Sequence, residues 1–228
     1  MVSAKGARGA PPAVRVATDP RRGGRWTSLR AGDREWLWHR DEPRRAGAAP
    51  GEAFADAGGL EECLPTVRGV PDHGDAWTRP WTVDGDTASV RCADFALTRR
   101  IRTARGRAVA DYRLTATPGY RFLWAAHALL DVSPQGRLAI ADGVPGRFYP
   151  DARSGWEAFA WPSIRTGTPS GGPAAHRGPT RLDRLGPDDG TAFGAVVDTA
   201  SATVHDGPDS LRFSLDAPGQ PVATALWR

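Results

Sequence analysis

The sequence is poor in lysine, cysteine and long apolar runs. Lys5 is the only lysine among 30 basic residues, and the arginines are scattered along the chain. A net charge of +4 without basic clustering argues against a nucleic-acid surface, which needs its basic residues on one face. No apolar run is long enough to cross a bilayer, and the N-terminus lacks the apolar segment of a secretory signal. We therefore expect a cytoplasmic protein with no nucleic-acid or membrane partner.

The sequence has only two cysteines, Cys63 and Cys92. A small disulfide scaffold would carry more, so we expect buried free thiols that act as small hydrophobic side chains. No cysteine or histidine pair has the close spacing of zinc ligands along the chain. The sequence therefore predicts neither a metal nor a cofactor.

Short alternating segments dominate what is present. Examples are AVRVAT at 13–18 and AVADYRLTA at 108–116, and turn sequences such as DGD at 84–86 separate such segments. Because no segment has a convincing helical period, the pattern predicts an all-β chain folded as an antiparallel sandwich or barrel. Residues 1 to 12 are small, charged and proline-bearing, which predicts disorder. The remainder, 13 to 228, is long enough for one large domain.

One stretch differs from a core-filling segment: GGLEECLPTVRGVPDHGDAWTRPW, residues 58–81. It is polar, aromatic and rich in turn residues, which is typical of a binding loop on a rigid scaffold. His73 lies in its PDHG turn, where Asp72 or Asp75 could set the charge of the imidazole. The alternative is a loop histidine that only hydrogen-bonds backbone.

The second focus is FLWAAHALL at 122–130, in which His127 is the one polar side chain. Both faces of this segment are apolar if it is a strand, which predicts a central strand of a sheet. A histidine there either makes a hydrogen bond within the core or lines a cavity. We hypothesise that His73 and His127 meet in one pocket.

Aromatic rings beside carboxylates and an arginine suit a sugar, because rings stack on its apolar faces and charged groups bind its hydroxyls. Candidates for stacking are Trp77, Trp81 and Trp124. Candidates for binding hydroxyl groups are Glu62, Asp72 and Arg79.

The segments GGLEECLPTV, PDHGDAWTRPW and FLWAAHALL, in this order and at this spacing, resemble the galactose mutarotase-like (aldose 1-epimerase) superfamily. The resemblance runs from about Gly23 to the last residue. It implies a large antiparallel β-sandwich with a sugar cleft on the concave face of one sheet, and interconversion of the α and β anomers of a free aldose. It also implies that His127 protonates the ring oxygen, that His73 assists there and orients the sugar, and that Arg79 contacts the sugar.

The sequence departs from that family at the general base, which is a glutamate near the C-terminus in the family. No glutamate follows Glu157 here. Either the chain is a truncated version with an incomplete sandwich, or another carboxylate has taken over, for which Glu62 is the best internal candidate. A truncated sheet would expose an edge, so we expect self-association through it. The alternatives are thus an active epimerase that acts on a monosaccharide or on a sugar derivative such as a sugar phosphate, a carbohydrate-binding domain that has lost its base, and a fragment without a function of its own.

Overall fold

The computed structural model describes residues 1–5, 11–150, 155–164, 180–188, 190 and 192–228. Helical segments among these residues are limited to two short 3-10 helices, Pro43–Gly47 and Ala76–Thr78. The fold is all-β and antiparallel, as the alternating sequence pattern predicted. In chain order the strands are β1 (Val2–Lys5), β2 (Val14–Asp19), β3 (Arg25–Ala31), β4 (Arg34–Glu35), β5 (Leu60–Cys63), β6 (Thr82–Asp84), β7 (Thr87–Arg91), β8 (Phe95–Ala104), β9 (Arg107–Ala116), β10 (Ala125–Ala128), β11 (Arg137–Ala139), β12 (Pro145–Tyr149), β13 (Glu157–Ala160), β14 (Ser163–Ile164), β15 (Thr180–Arg181), β16 (Gly194–Val197), β17 (Ser201–Asp206), β18 (Asp209–Ser214) and β19 (Thr224–Trp227).

Contacts divide the chain into two compact units. The central unit is Ala10–Asp131, and the terminal unit combines Met1–Gly9 with Val132–Arg228. The single domain expected over residues 13 to 228 stays a prediction. Within the described residues, no helix has the length and apolar character needed to span a membrane.

The central unit contains two sets of antiparallel strands. One has the order β10–β5–β3–β2, with β4 also paired to β3. The other runs through consecutive hairpins from β6 to β9. In its longest hairpin the register runs from Phe95 opposite Ala116 to Ala104 opposite Arg107. The turn residue Gly106 has φ 73°, which glycine adopts without steric cost.

The two strand sets of the central unit meet in a shared core. Its buried cluster contains Leu64 after β5, Trp81 before β6, and Phe95 and Leu97 on β8. Alternation along β8 sends these apolar side chains inward, as the period-two pattern predicts. Burial of such side chains is the main favourable term in the stability of a two-layer β fold. The central unit is therefore an antiparallel sandwich.

The terminal unit also contains two antiparallel strand sets. One has the order β15–β14–β13–β12–β16–β19, and in the other β11, β17, β18 and β1 pair in that order. β1 corrects the expected disorder at the N-terminus, since Val2 pairs with Phe213 and Lys5 with Ser210. The physical reason is that Val2 and Ala4 alternate and are buried, and this burial offsets the entropy of ordering the segment. Residues 6–10 of the predicted disordered segment lie outside the described residues.

Candidate functional site

His73 lies in the loop between β5 and β6, in a backbone conformation that few residues other than glycine adopt. Its φ is 55°, and that of Gly74 is 79°. A Cβ atom on Gly74 would overlap the carbonyl oxygen of Leu64, so the two backbones are packed directly together. The N–H of Asp75 also donates to this Leu64 oxygen at 2.8 Å. The loop is thus fastened to the end of β5, and this fixes where the His73 ring projects.

Asp72 holds the His73 ring. Nδ1 of His73 lies 2.9 Å from Oδ1 of Asp72, and the N–H of Phe54 donates to Oδ2 at 3.1 Å. Burial pushes the pKa of Asp72 up, but the hydrogen bonds from Phe54 and His73 outweigh it and leave the pKa below its ordinary value. Since the ionised carboxylate accepts the Nδ1 proton, Nε2 is the ring nitrogen left for a ligand.

His127 is positioned by the pairing of β10 with β5. His127 lies opposite Glu61, and Ala125 lies opposite Cys63. Because alternate residues of a strand share a face, His127, Glu61 and Cys63 lie on one face of this sheet and Glu62 lies on the other. β10 is an end strand of its set among the described residues, which corrects the prediction of a central strand. Only Ala125–Ala128 of the apolar run is strand, although Leu129 hydrogen-bonds Gly59 and Leu130 forms an isolated bridge with Leu37.

The two histidines meet, as hypothesised. Their ring centroids are 5.3 Å apart and their planes are inclined by 44°. Phe54 stacks on His73 with centroids 3.9 Å apart, and its ring lies 6.1 Å from that of His127. The His73 side chain is 20% exposed, so the pair is within reach of solvent. We call Phe54, Cys63, His73 and His127 the histidine cluster.

The electrostatics of His127 favour its neutral form. Burial lowers its pKa, the neighbouring His73 lowers it further, and Asp56 acts in the opposite direction. Its Nδ1 is buried and has no hydrogen-bond partner in the part of the chain that the structure describes. The ring is therefore neutral near neutral pH, and one of its two nitrogens carries a lone pair that can accept a proton or bind a cation.

Beside the cluster lies a buried arginine–glutamate pair that the sequence pattern did not reveal. Nη2 of Arg45 is 2.8 Å from the fully buried carboxylate of Glu61, and Arg25 is 4.0 Å away. Burial raises the pKa of Glu61 to about 7, even though the two arginines oppose this shift. The guanidinium of Arg45 also covers the ring of Trp77 at 4.7 Å. Alternation along a strand places Glu61 and Glu62 on opposite faces but does not show which face meets the cluster, and Arg45 comes from a short 3-10 helix without a periodic signal.

The structure corrects the assignment of Glu62 as a substitute base. Its carboxylate is fully buried on the face of β5 opposite to His127. Nη1 of Arg99 on β8 and the hydroxyl of Tyr112 on β9 each donate to its Oε1 at 2.7 Å. Glu62 therefore links the two layers of the central unit and does not reach a ligand at the histidine pair.

Two of the three tryptophans predicted to stack on a sugar are core residues. Trp77 is 0% exposed and donates from Nε1 to the carbonyl of Asp72 at 3.1 Å. Trp81 is 4% exposed and lies under the guanidinium of Arg99. Both rings are enclosed by protein, and a buried arginine lies over each of them, Arg45 over Trp77 and Arg99 over Trp81. Neither can stack on a ligand in this conformation.

Trp124 and Arg79 are also placed away from the histidine pair. Trp124 is half-buried, packs on Tyr112 with centroids 4.8 Å apart and joins the core between the two layers. The charge of Arg79 acts on the thiol of Cys92, a residue of that same core, where it opposes the burial that raises the pKa of the thiol to about 11. Of the predicted sugar contacts, Asp72 is therefore the one found at the histidine pair.

Both cysteines are free and buried, as predicted, but Cys63 has a further property. Potential ligand atoms of Cys63, His73 and His127 all lie within 4.8 Å of one another. Spacing along the chain missed this group because its members come from β5, the following loop and β10. Pairing of β5 with β10 brings Cys63 close to His127, and the packing of Gly74 on Leu64 brings His73 to both.

A surface depression of about 490 Å³ lies elsewhere, against the first 3-10 helix and the segment after it. Arg44 and Glu52 are its charged lining residues, and the remainder are small or apolar. It contains none of the predicted site residues. The candidate site is therefore defined by converging side chains, not by this depression.

Comparisons with protein families, curated proteins and solved structures find no match to this chain.

Proposed function

We propose that the histidine pair acts on a free aldose and interconverts its α and β anomers, as an aldose 1-epimerase does. The proposal is carried by one observation: His73 and His127, distant along the chain, have ring centroids 5.3 Å apart. It is also supported by the sequence motifs that resemble the mutarotase-like superfamily. The proposed reaction uses no carboxylate as its general base, since Glu62 is enclosed in the core.

Anomer exchange needs one proton acceptor and one proton donor at neighbouring oxygens. The anomeric hydroxyl loses its proton, the ring oxygen gains one, and the bond between the anomeric carbon and the ring oxygen breaks. Rotation of the resulting aldehyde and closure on its other face return both protons. Since both oxygens are bonded to the same carbon, two adjacent imidazoles suit the task, and each typically contributes about 10²–10⁴-fold to the rate.

The electrostatics favour a particular division of roles. His127, with its lowered pKa, is the neutral ring that takes the proton from the anomeric hydroxyl. His73 delivers a proton from Nε2 to the ring oxygen, while Asp72 at Nδ1 compensates the positive charge of the protonated ring. The family resemblance implied the opposite role for His127, so the roles proposed for the two histidines are the reverse of those expected from the sequence.

A carbohydrate-binding domain without catalysis is the second candidate. It is favoured by the burial of both Glu61 and Glu62, which removes the two glutamates nearest to His127 from direct contact with a sugar. For either candidate we propose a cytoplasmic setting, because two free buried thiols suit a reducing compartment. Self-association through an exposed sheet edge stays a prediction.

The test is NMR exchange spectroscopy or polarimetry on freshly dissolved α-glucose and α-galactose, using chelator-treated protein. We expect faster anomer exchange than in buffer alone, and a loss of at least about 10²-fold in His127→Ala and in His73→Ala. The matched control is His205→Ala, an exposed histidine of β17 in the terminal unit, which should leave the rate unchanged.

An unchanged rate in His127→Ala would remove the epimerase proposal. Exchange equal to that in buffer, together with saturable shifts of histidine resonances on adding the sugar, would select the binding domain. Absence of both effects would contradict both candidates.

A further inference from the structure

We propose that Cys63, His73 and His127 form a binding site for a borderline-soft divalent metal ion, with Zn²⁺ as the best-fitting member of that class. Potential ligand atoms of these residues lie within 4.8 Å of one another. This inference goes beyond the proposed function and does not depend on it.

The ligand types match the metal. One thiolate and two imidazoles suit zinc, and also cobalt as its spectroscopic substitute, better than the oxygen-preferring magnesium or calcium. The distances are close to those required. A triangle with sides of 4.8 Å has its centre about 2.8 Å from each corner, against about 2.0–2.3 Å for bonds from zinc to nitrogen and sulfur. Side-chain rotations that move each ligand atom by about 0.5–0.8 Å therefore complete the site.

The surroundings of His73 resemble the outer shell of a zinc site. A metal-bound histidine usually donates its other ring N–H to a carboxylate, which fixes its tautomer and orientation. His73 already has this arrangement, with Nδ1 2.9 Å from Asp72 and Nε2 left for a metal. Phe54 stacks on one face of the His73 ring, with centroids 3.9 Å apart, and so restrains the orientation of the ring.

His127 supplies an independent observation. Its Nδ1 is buried without a hydrogen-bond partner among the described residues, which is costly for a polar atom. Metal coordination would satisfy an imidazole nitrogen at this position. Its other neighbours at the cluster are His73 and Phe54, neither of which satisfies this nitrogen.

The charge around Cys63 also suits a cation. The carboxylates of Glu61, Glu62 and Asp72 act on Cys63 more strongly than the guanidinium of Arg45 does, so the surrounding charge is negative on balance. A dication supplies the positive charge that the thiolate needs, so binding releases the thiol proton to solvent. Three protein ligands leave a fourth position open for water or another small ligand.

The experiment uses the full chain after removal of metals with a chelator. Zn²⁺ is titrated in competition with a chromophoric chelator, and Co²⁺ is titrated while its absorption spectrum is recorded. We expect one equivalent of metal per chain and, with Co²⁺, the thiolate-to-cobalt charge-transfer band of a four-coordinate site. Asp72→Asn should weaken Zn²⁺ binding by about 10–100-fold, as expected for loss of an outer-shell carboxylate.

Cys63→Ser should abolish the charge-transfer band, and His127→Gln should weaken binding by more than Asp72→Asn does. The matched control is Cys92→Ser, which changes the other buried free thiol and should retain both the band and the affinity. Circular dichroism verifies that each variant is folded, with Cys63→Ala as the substitute should serine prevent folding. Zn²⁺ binding as tight in the folded Cys63 variant as in the wild type, or absence of the band in the wild type, would overturn the proposal.

Because the same imidazoles serve both proposals, bound metal should compete with an aldose. The metal titration does not involve sugar or turnover. Tight binding without anomer exchange would therefore remove the epimerase proposal alone, and exchange in a chain that fails to bind metal would remove the metal site alone.

Discussion

Replacing Arg99 with methionine tests whether Glu62 belongs to the interior of the central unit. The guanidinium is 2.7 Å from the Glu62 carboxylate, and the two side chains are 1% and 0% exposed. Removing the positive partner leaves Glu62 with only the neutral hydroxyl of Tyr112 on its Oε1. Loss of one member of a buried pair typically costs about 3–5 kcal/mol. At about 2–4 °C per kcal/mol for a chain of this size, we expect a melting temperature lower by about 6–20 °C.

The assay is denaturant and thermal unfolding followed by tryptophan fluorescence and circular dichroism. The matched control is Arg100→Met, because Arg100 is the next residue of β8 and its side chain is 55% exposed in a surface pair with Asp86. That substitution should change stability by at most about 1 kcal/mol. Equal losses in the two variants would refute the reasoning, since they would mean that Glu62 and Arg99 are not enclosed together. Loss of anomer exchange in a stably folded Glu62→Gln variant would return Glu62 to a catalytic role.

Three further predictions follow from the site. Gly74→Ala should lower the free energy of unfolding by about 2–4 kcal/mol, because the left-handed backbone and the overlap of the new Cβ with Leu64 both destabilise the folded state. The control is Gly85→Ala, where φ is 58° and the space is open, so that only the backbone cost applies. Equal losses in the two variants would contradict the prediction. Burial raises the pKa of Glu61 to about 7, so the folded state is most stable at a pH where this carboxyl keeps its proton. Relative to Glu61→Gln, the free energy of unfolding of the wild type should therefore fall by about 3 kcal/mol as pH rises from about 4.5 to about 7. A difference between the two proteins that does not change with pH would exclude the raised pKa. If His127 is the base of an epimerase, kcat/KM should fall with decreasing pH as His127 becomes protonated. This decrease should occur below the ordinary pH range of histidine, because burial and His73 lower the pKa of His127. A decrease that occurs above that range would contradict His127 as the base.

Local patterns predicted the strands better than they predicted which side chains face a ligand. Alternation and turn residues identified the β8–β9 hairpin because both are properties of neighbouring residues. The meeting of His73 and His127 was also predicted, from the polar and aromatic character of the first segment and from one polar residue within the second.

The rest depended on contacts between segments distant in sequence. Trp77 and Trp81 are residues of a type that stacks on sugars, and only the folded chain shows that Arg45 and Arg99 cover their rings. Likewise, two adjacent glutamates could not be told apart until the pairing of β5 with β10 assigned each to a face. The sequence predicts Cys63 only as a small hydrophobic residue, because its two histidine neighbours lie in other elements.

The opposed glutamates of β5 constrain how this strand can change. Sliding it by one residue against β10 would turn every side chain to the other face, moving Glu61 toward Arg99 and withdrawing it from Arg45. Both arginines would then face the wrong partner in a region closed to water. An insertion or deletion of a single residue within Leu60–Cys63 should therefore be tolerated less well than any conservative substitution there, since it alters the alignment of two ion pairs together.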